Sequence, residues 1–199
     1  AMGAGYDTYA MSTLLEGKVP SHKLNIVLSP FEITEQMHSA IDTYLKSNNQ
    51  VVVWVYLPGI STGKALSLAN VQRTTGFSIG AVEQKSTLQV QLADSGHNLT
   101  EGIAGLVYGN SVLNSVSPLT YIQDTTGATV LGYNTTGQKP GLAVKNMGNW
   151  TSVYSAAPCL DVQLLRNLME FAGCHSYSEN PTDIIYSSDS YVALHSAVE

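Results

Sequence analysis

The chain has 199 residues, a hydrophobic fraction of 44% and a formal net charge of −6. This length predicts a single domain over residues 1–199 with one sizeable core. Its nine basic residues form no cluster that could neutralise a row of phosphates, so we expect no nucleic-acid partner. No run approaches the ~20 apolar residues of a membrane span and no start resembles a signal peptide. We therefore expect a soluble domain with no membrane partner; the sequence does not indicate its compartment.

The first third of the chain predicts a helix followed by a strand–helix–strand unit. Asp7 is placed to cap the first helix, which ends before Pro20. Residues 23–28 form a short apolar strand, and apolar positions recur at helical spacing from Thr34. Residues 51–56 are apolar without alternation, which is typical of a strand covered on both faces. Two such strands joined by a helix predict a right-handed parallel crossover.

The rest of the chain predicts further strands and two helices around an irregular segment. Residues 94–137 lose regular period and are expected to be a β-rich insertion. The predicted elements are a helix at 68–75, a pair of strands at 78–83 and 87–92, a hairpin of 142–145 with 150–154, a helix at 158–172 and a last hairpin of 183–186 with 191–195. Together they predict an α/β fold with a parallel sheet flanked by helices.

The two cysteines are expected to be free thiols. Cys159 falls in the first turn of the helix predicted at 158–172, and Cys174 follows its end. A helix of this length holds their Cα atoms well beyond the ~7 Å that a disulfide allows. The dipole of the helix is in a position to lower the pKa of Cys159, but a catalytic cysteine is the weaker interpretation.

One motif suggests nucleophilic chemistry. Residues 59–63 read Gly-Ile-Ser-Thr-Gly and match the G-x-S-x-G nucleophile elbow after a strong strand. Pro58 precedes the motif and no clear helix follows at once, so a plain glycine-rich loop explains the same residues. The hydrolase alternative uses Ser61 as nucleophile, His195 as base and Asp161, Asp183 or Asp189 as the third member, with Asp183 preferred.

The histidines give no metal site. None of the five shows a ligand spacing such as H-x-H or H-E-x-x-H, so we expect no metal and no cofactor. His38 is expected on the surface of its helix. His195 ends an apolar strand, where a structural histidine is the more common interpretation.

A third alternative is a carbohydrate-binding module. Residues 102–138 contain one charge, Asp124, and their Ser, Thr, Asn and Gly residues suit a neutral, hydroxyl-rich partner. Glu32 lies just past a parallel-strand end, where α/β sheets bind ligands. The candidate substrate-binding residues are Glu32, Tyr56, Trp150 and Tyr154, with the last two expected to be exposed near a hairpin turn.

The order of strand endings carries a family resemblance. A strand ending in Pro30, a helix, and a buried strand ending in Gly59 together resemble the class I glutamine amidotransferase-like fold, a flavodoxin-like arrangement. The resemblance is more specific to the amidotransferase-like middle domain of β-galactosidase-like glycoside hydrolases. It is carried by residues 130–133, 137–144, Gly148, Tyr154 and the helix ending at Gly173.

The resemblance implies an accessory role. Amidotransferases place a cysteine at the end of the strand that corresponds to residues 51–57, where this chain has Tyr56 and Leu57, and no His-x-Glu follows. In the hydrolase family the two catalytic carboxylates belong to a barrel of ~250 residues that precedes this domain. We therefore expect a non-catalytic domain that helps to form trimers or dimers, or frames the active site of a neighbouring barrel.

Overall fold

The structure is a computed structural model that describes residues 3–110, 116–180, 182–188 and 190–196. The helices in it are α1 (Met11–Leu15), α2 (Glu35–Tyr44), α3 (Leu68–Thr75) and α4 (Val162–Phe171). The strands are β1 (Leu24–Leu28), β2 (Gln50–Val55), β3 (Ser78–Val82), β4 (Gln89–Leu92), β5 (Val107–Gly109), β6 (Leu119–Asp124), β7 (Ala128–Asn134), β8 (Pro140–Asn146), β9 (Trp150–Ser155), β10 (Ile184–Ser187) and β11 (Val192–His195). None of the helices in these ranges has the length and apolar composition needed to cross a membrane.

Seven strands form a central mixed sheet in the order β1-β2-β9-β8-β7-β4-β5. β1, β2 and β9 are parallel neighbours. The remaining neighbours pair antiparallel, because β8 and β9 are joined by a tight hairpin and the strands beyond β8 alternate in direction. The α/β class is confirmed, whereas the expectation of a parallel sheet is wrong beyond β9.

The predicted strand–helix–strand unit is confirmed. α2 begins where the Thr34 hydroxyl accepts a hydrogen bond from the backbone N–H of Met37, an N-cap. β2 is buried along its whole length, as its unbroken apolar run predicts. β1 is less covered than expected, because it lies at the edge of the sheet: its first four residues are half-buried and Leu28 is exposed.

Two hydrophobic cores lie on opposite faces of the sheet. One core joins α1, α2 and α3 to Val52 and Trp54 of β2, and it also includes the small β3–β6 sheet. The other joins α4 and the 98–103 loop to Val51 and Val53. Alternate residues of β2 therefore supply both cores, so this strand is the centre of the packing.

The helix starts predicted for α1 and α4 are wrong. α1 begins after Ala10, and Asp7 does not cap it. α4 begins after Asp161, whose carboxylate accepts hydrogen bonds from the backbone N–H groups of residues 163 and 164. Cys159 therefore precedes the helix; it is exposed with φ 57°. Both cysteines are free, as expected.

The strands predicted at 78–83 and 87–92 are present as β3 and β4, but they do not pair with each other. β3 pairs with β6, and β4 pairs with β5 and β7. The segment 94–137 thus contains β5, β6 and β7, and β7 lies in the interior of the sheet between β8 and β4. β5 and β7 of this segment therefore belong to the central sheet. The two predicted hairpins, β8–β9 and β10–β11, are confirmed.

Candidate functional site at the carboxyl edge of the parallel strands

The parallel strands β1, β2 and β9 end at one edge, where α/β sheets usually bind ligands. The loops after β1 and β2 run side by side there. Gly59 N donates to Pro30 O at 2.8 Å, Ser61 N donates to Phe31 O at 2.8 Å, and Ile33 N donates to Ser61 O at 2.9 Å. These bonds extend the parallel pairing past the strands and hold the two loops against each other.

The buried side-chain amide of Asn70 connects the two loops. The Asn70 side chain in α3 donates to Ile33 O at 3.2 Å and to Gly59 O at 2.7 Å. Its oxygen accepts from His38 Nε2 at 2.8 Å, which places the proton on that ring nitrogen. His38 is completely buried, so the expectation of a surface histidine is wrong.

Tyr56 occupies the position directly after β2, where the resemblance places a nucleophile. Its φ of 61° is left-handed, which is strained for a bulky side chain. The phenol donates to Pro118 O at 2.8 Å, and Phe31 packs edge-on against its ring. Burial raises the pKa of Tyr56, so this group remains protonated at neutral pH. In this position Tyr56 acts as a packing residue whose hydroxyl is satisfied by a backbone carbonyl.

Two further tyrosines fill the edge behind Tyr56. The Tyr154 hydroxyl donates to Tyr56 O at 2.7 Å and lies 3.2 Å from the Thr120 hydroxyl. The Tyr108 hydroxyl pairs with Ser155 Oγ at 2.8 Å, and Ser155 in turn donates to Ala157 O. Burial raises the pKa of both phenols far above the ordinary value. Side chains and satisfied hydrogen bonds thus occupy the space at the end of β9.

The structure does not bring the serine-hydrolase residues together. Ser61 Oγ accepts a hydrogen bond from Gly63 N at 3.1 Å, within its own loop. Asp183 is buried and accepts from the Ser178 hydroxyl. His195 is exposed on β11, opposite Ile184. Among the described residues, no hydrogen bond joins Ser61 to an imidazole or joins His195 to Asp183, so the arrangement that activates a serine is not assembled.

The other candidate acids, Asp161 and Asp189, give no support to a triad. Asp161 is the N-cap of α4, and Asp189 lies outside the described residues. Glu32 is exposed at the edge, with its carboxylate over Gly63. Its neighbour Glu35 pairs with Arg73, and this hydrogen bond lowers the pKa of the Glu35 carboxyl.

Trp150 and Tyr154, expected to be exposed, are buried. Trp150 is 7% exposed and packs edge-on against Trp54, with ring centroids 6.4 Å apart. The Lys46 ammonium lies 5.5 Å from the centre of the Trp150 ring. Neither Trp150 nor Tyr154 offers a flat face to a sugar, because both rings belong to the core on the side of α1–α3.

Two open clefts lie on the surface outside the loops that follow β1 and β2. One, of about 600 Å³, is formed by the 94–104 loop and includes Asp94, His97 and Glu101. Burial lowers the pKa of His97, and its ring packs on Phe171. The other, of about 320 Å³, lies between β5 and the start of α4. No sequence-predicted substrate-binding residue lines either cleft, and the described residues place no group of three or more His, Cys, Asp or Glu to hold a metal ion.

Sequence reasoning missed the residues that determine this edge. Asn70 carries no motif, and its role depends on two carbonyl groups distant in sequence. His38 had a readable signal, because it lies on the same helical stripe as Ile41 and Leu45, both of them buried. The hydroxyl partners of Tyr108 and Tyr154 are set by the pairing of β9, which local periodicity does not reveal.

The described residues form an α/β domain whose carboxyl edge is filled by packed, hydrogen-bonded side chains. No protein-family model matches the chain, and no curated protein matches it significantly. Solved structures do share its fold. The β-galactosidase of Bacillus circulans sp. alkalophilus matches with a TM-score of 0.60 and 16% identity, covering 87% of this chain and 26% of that one.

Two further structures extend the comparison. The β-galactosidase of Rahnella sp. R3 matches with a TM-score of 0.59 and 16% identity over 82% of this chain and 25% of that one. A putative ThuA-like protein from Bacteroides uniformis matches with a TM-score of 0.53 and 14% identity over 87% of this chain and 78% of that one. At such identities the likeness concerns the fold. The chain spans about a quarter of the length of the β-galactosidases that it matches.

Proposed function

We propose that this chain is a non-catalytic accessory domain of a β-galactosidase-like glycoside hydrolase, acting in assembly or in framing a neighbouring active site. The observation that carries the proposal is the packed carboxyl edge, where Tyr56, Tyr108 and Tyr154 direct protonated phenols to protein acceptors. A domain built in this way contributes shape and contact surface. The fold likeness to one quarter of β-galactosidase chains supports the choice of parent enzyme.

The backbone at Tyr56 supports an amidotransferase-like, flavodoxin-like origin. A left-handed residue at the end of the central buried strand is the conformation that presents a nucleophile in strand-turn-helix elbows. Here the strained conformation persists while the side chain is a buried phenol. This combination favours descent from a fold whose reactive residue was replaced.

The catalytic part of the proposal is tested on the full-length protein encoded by the natural reading frame. We expect that protein to hydrolyse p-nitrophenyl β-galactoside and residues 1–199 alone to give no turnover. The matched control replaces the two barrel carboxylates in the full-length protein and should abolish hydrolysis. Turnover by residues 1–199 alone, or a reading frame without a glycoside hydrolase barrel, would contradict the proposal.

The assembly role has its own measurement. Sedimentation velocity of the full-length protein and of residues 1–199 should both give a dimer or trimer if this domain supplies the contact between copies. If residues 1–199 remain monomeric at every concentration while the full-length protein is an oligomer, the contact between copies lies outside this domain and only the framing role remains.

The structure favours neither alternative function. A serine hydrolase requires Ser61 to be activated, and its Oγ is engaged by Gly63 N without an imidazole partner. Ser61→Ala should therefore leave any p-nitrophenyl acetate turnover unchanged. The carbohydrate-module alternative rests on the nearly uncharged segment 102–138, and its two aromatic candidates outside that segment, Trp150 and Tyr154, are buried. Of its remaining candidates, Glu32 is exposed, and the ring of Tyr56 is covered.

A further inference from the structure

Exposed apolar side chains are concentrated near the two ends of the described chain. Of seventeen exposed large hydrophobic residues in the described ranges, eight lie at positions 6–9 and 177–194. The most exposed of these eight are Tyr6 at 77%, Tyr191 at 68% and Tyr186 at 63%. Scattered single residues of this kind are ordinary on a protein surface, but a contiguous group marks a contact site.

The hairpin β10–β11 is apolar on both faces. Its register places Ile184 and Tyr186 on one face and Val192 and Leu194 on the other. All four are more than 40% exposed. The described residues of the two strands carry no Asp, Glu, Lys or Arg, which usually protect such strands.

The hairpin also has free edges. β10 and β11 pair only with each other among the described residues, so each has one edge without a strand partner. A two-stranded ribbon is marginally stable in water, and it gains stability when a sheet or helix covers it. The apolar faces and the unpaired strand edges therefore favour a partner that has β structure.

The amino-terminal segment lies against the same region. Gly3 O accepts a hydrogen bond from Tyr177 N at 2.7 Å. Gly5 is so close to β10 that a Cβ there would collide with Ser187 Oγ. Tyr6 follows directly, so its exposed side chain lies next to the hairpin. We call the exposed apolar side chains of the amino-terminal segment, of Tyr177 and of both hairpin faces the terminal surface and define it by Tyr6, Tyr177, Ile184, Tyr186, Tyr191, Val192 and Leu194.

We propose that the terminal surface docks on an apolar β-sheet of a further domain in the same polypeptide, with an edge of β10–β11 pairing with one of its strands. The inference rests on the proposed function, in which this domain is part of a longer enzyme. The matched β-galactosidases have about three quarters of their chains outside the aligned part.

A sugar fits these observations less well than a protein sheet. Stacking on a sugar uses one exposed aromatic face, whereas here aliphatic side chains and two strand edges are open together. A second copy of this chain is a distinct occupant, and concentration dependence distinguishes it.

Hydrogen–deuterium exchange tests the proposal on the full-length protein and on residues 1–199. We expect the amides of 184–188 and 191–195 to exchange about tenfold or more slowly in the full-length protein. Amides 62–66, in the loop after Ser61, serve as the internal control and should exchange equally in both. Equal exchange of the hairpin in both proteins would overturn the proposal. Hairpin protection that appears in residues 1–199 as concentration rises would assign the surface to a second copy.

A pair of variants in the full-length protein adds a matched control. Tyr186→Ser with Leu194→Ser should restore fast hairpin exchange, while Leu28→Ser with Leu66→Ser, at positions 77% and 79% exposed, should change it little. Equal effects of the two pairs would contradict a specific contact at the hairpin. The result is independent of galactoside hydrolysis. If the hairpin is protected in a full-length protein that is inactive on galactosides, this inference stands and the proposed function is wrong. If the full-length protein is active and the hairpin is unprotected, the proposed function stands and this inference is wrong.

Discussion

One amide side chain, that of Asn70, joins the loops that follow β1 and β2. Its three hydrogen bonds satisfy Ile33 O, Gly59 O and His38 Nε2 in a buried setting. Asn70→Ala leaves these groups without partners, and each buried unpaired group costs about 1–3 kcal/mol. We expect a loss of about 2–4 kcal/mol in the free energy of unfolding, because local relaxation recovers part of the total.

Urea unfolding measures this loss. Asn149→Ala is the matched control, since Asn149 is exposed in the β8–β9 turn and its backbone carbonyl, which accepts from Asn49 N, is retained. A midpoint for Asn70→Ala equal to that of the control would show that the loops do not depend on this amide.

The buried phenols predict a loss of stability in alkaline solution. Burial raises the pKa of Tyr56, Tyr108 and Tyr154 in the folded state above the value of about 10 in the unfolded chain. The unfolded chain therefore releases these protons first. The stabilisation is fully present below pH ~10 and is lost as the pH rises toward the folded values, at up to about 1.4 kcal/mol per pH unit for each phenol.

Tyr108→Phe isolates one of these phenols. Above pH ~10 the slope of unfolding free energy against pH should become shallower by about 1.4 kcal/mol per pH unit, measured by urea unfolding at a series of pH values. Tyr6→Phe, at an exposed position, should leave the slope unchanged. An unaltered slope in Tyr108→Phe would mean that this phenol ionises without unfolding.

The helix α4 depends on its N-cap. Asp161 Oδ1 accepts from Gln163 N at 2.7 Å and from Leu164 N at 3.4 Å. Asp161→Ala should cost about 1 kcal/mol and speed amide exchange in the first turn of α4. The cap of α2 offers a comparison, because Thr34 Oγ1 receives a longer bond of 3.5 Å from Met37 N. Thr34→Ala should cost less, and a larger loss for Thr34→Ala would reverse this ranking.

Elements formed by local signals were predictable, and long-range pairing was not. α2, α3, β2 and the two hairpins follow from periodicity, caps and turn residues. The start of α4 was misplaced because Pro158 looked like a first-turn residue, although Asp161 supplies the cap. The partner of β3 is β6, which lies 37 residues beyond the end of β3, at 119, and no local pattern encodes that pairing.

The sequence predicts that the candidate site lacks a cysteine, but it does not predict which side chains fill the interior of the site. Tyr56 and Leu57, and no cysteine, follow β2, and this is readable in the sequence. The burial of Trp150 and Tyr154 was not readable, because a residue near a hairpin turn is exposed only when the hairpin lies at an edge. β9 lies in the middle of the sheet, between β2 and β8, so its aromatic residues point into the core.

At the scale of the whole molecule, the described residues include a central sheet and a peripheral hairpin, β10–β11. We expect the two to contribute very differently to the free energy of unfolding. Deleting residues 184–196 removes β10 and β11, which pair only with each other, so urea unfolding should keep a single cooperative transition with a midpoint close to that of residues 1–199. Replacing residues 94–137 by a short Gly-Ser linker removes β7 from between β8 and β4. The gap of about 10 Å that remains exposes two strand edges and the buried Leu131 contacts, so this variant should show no cooperative transition. A cooperative transition in the second variant would identify 94–137 as a dispensable insertion and remove β7 from the folding core.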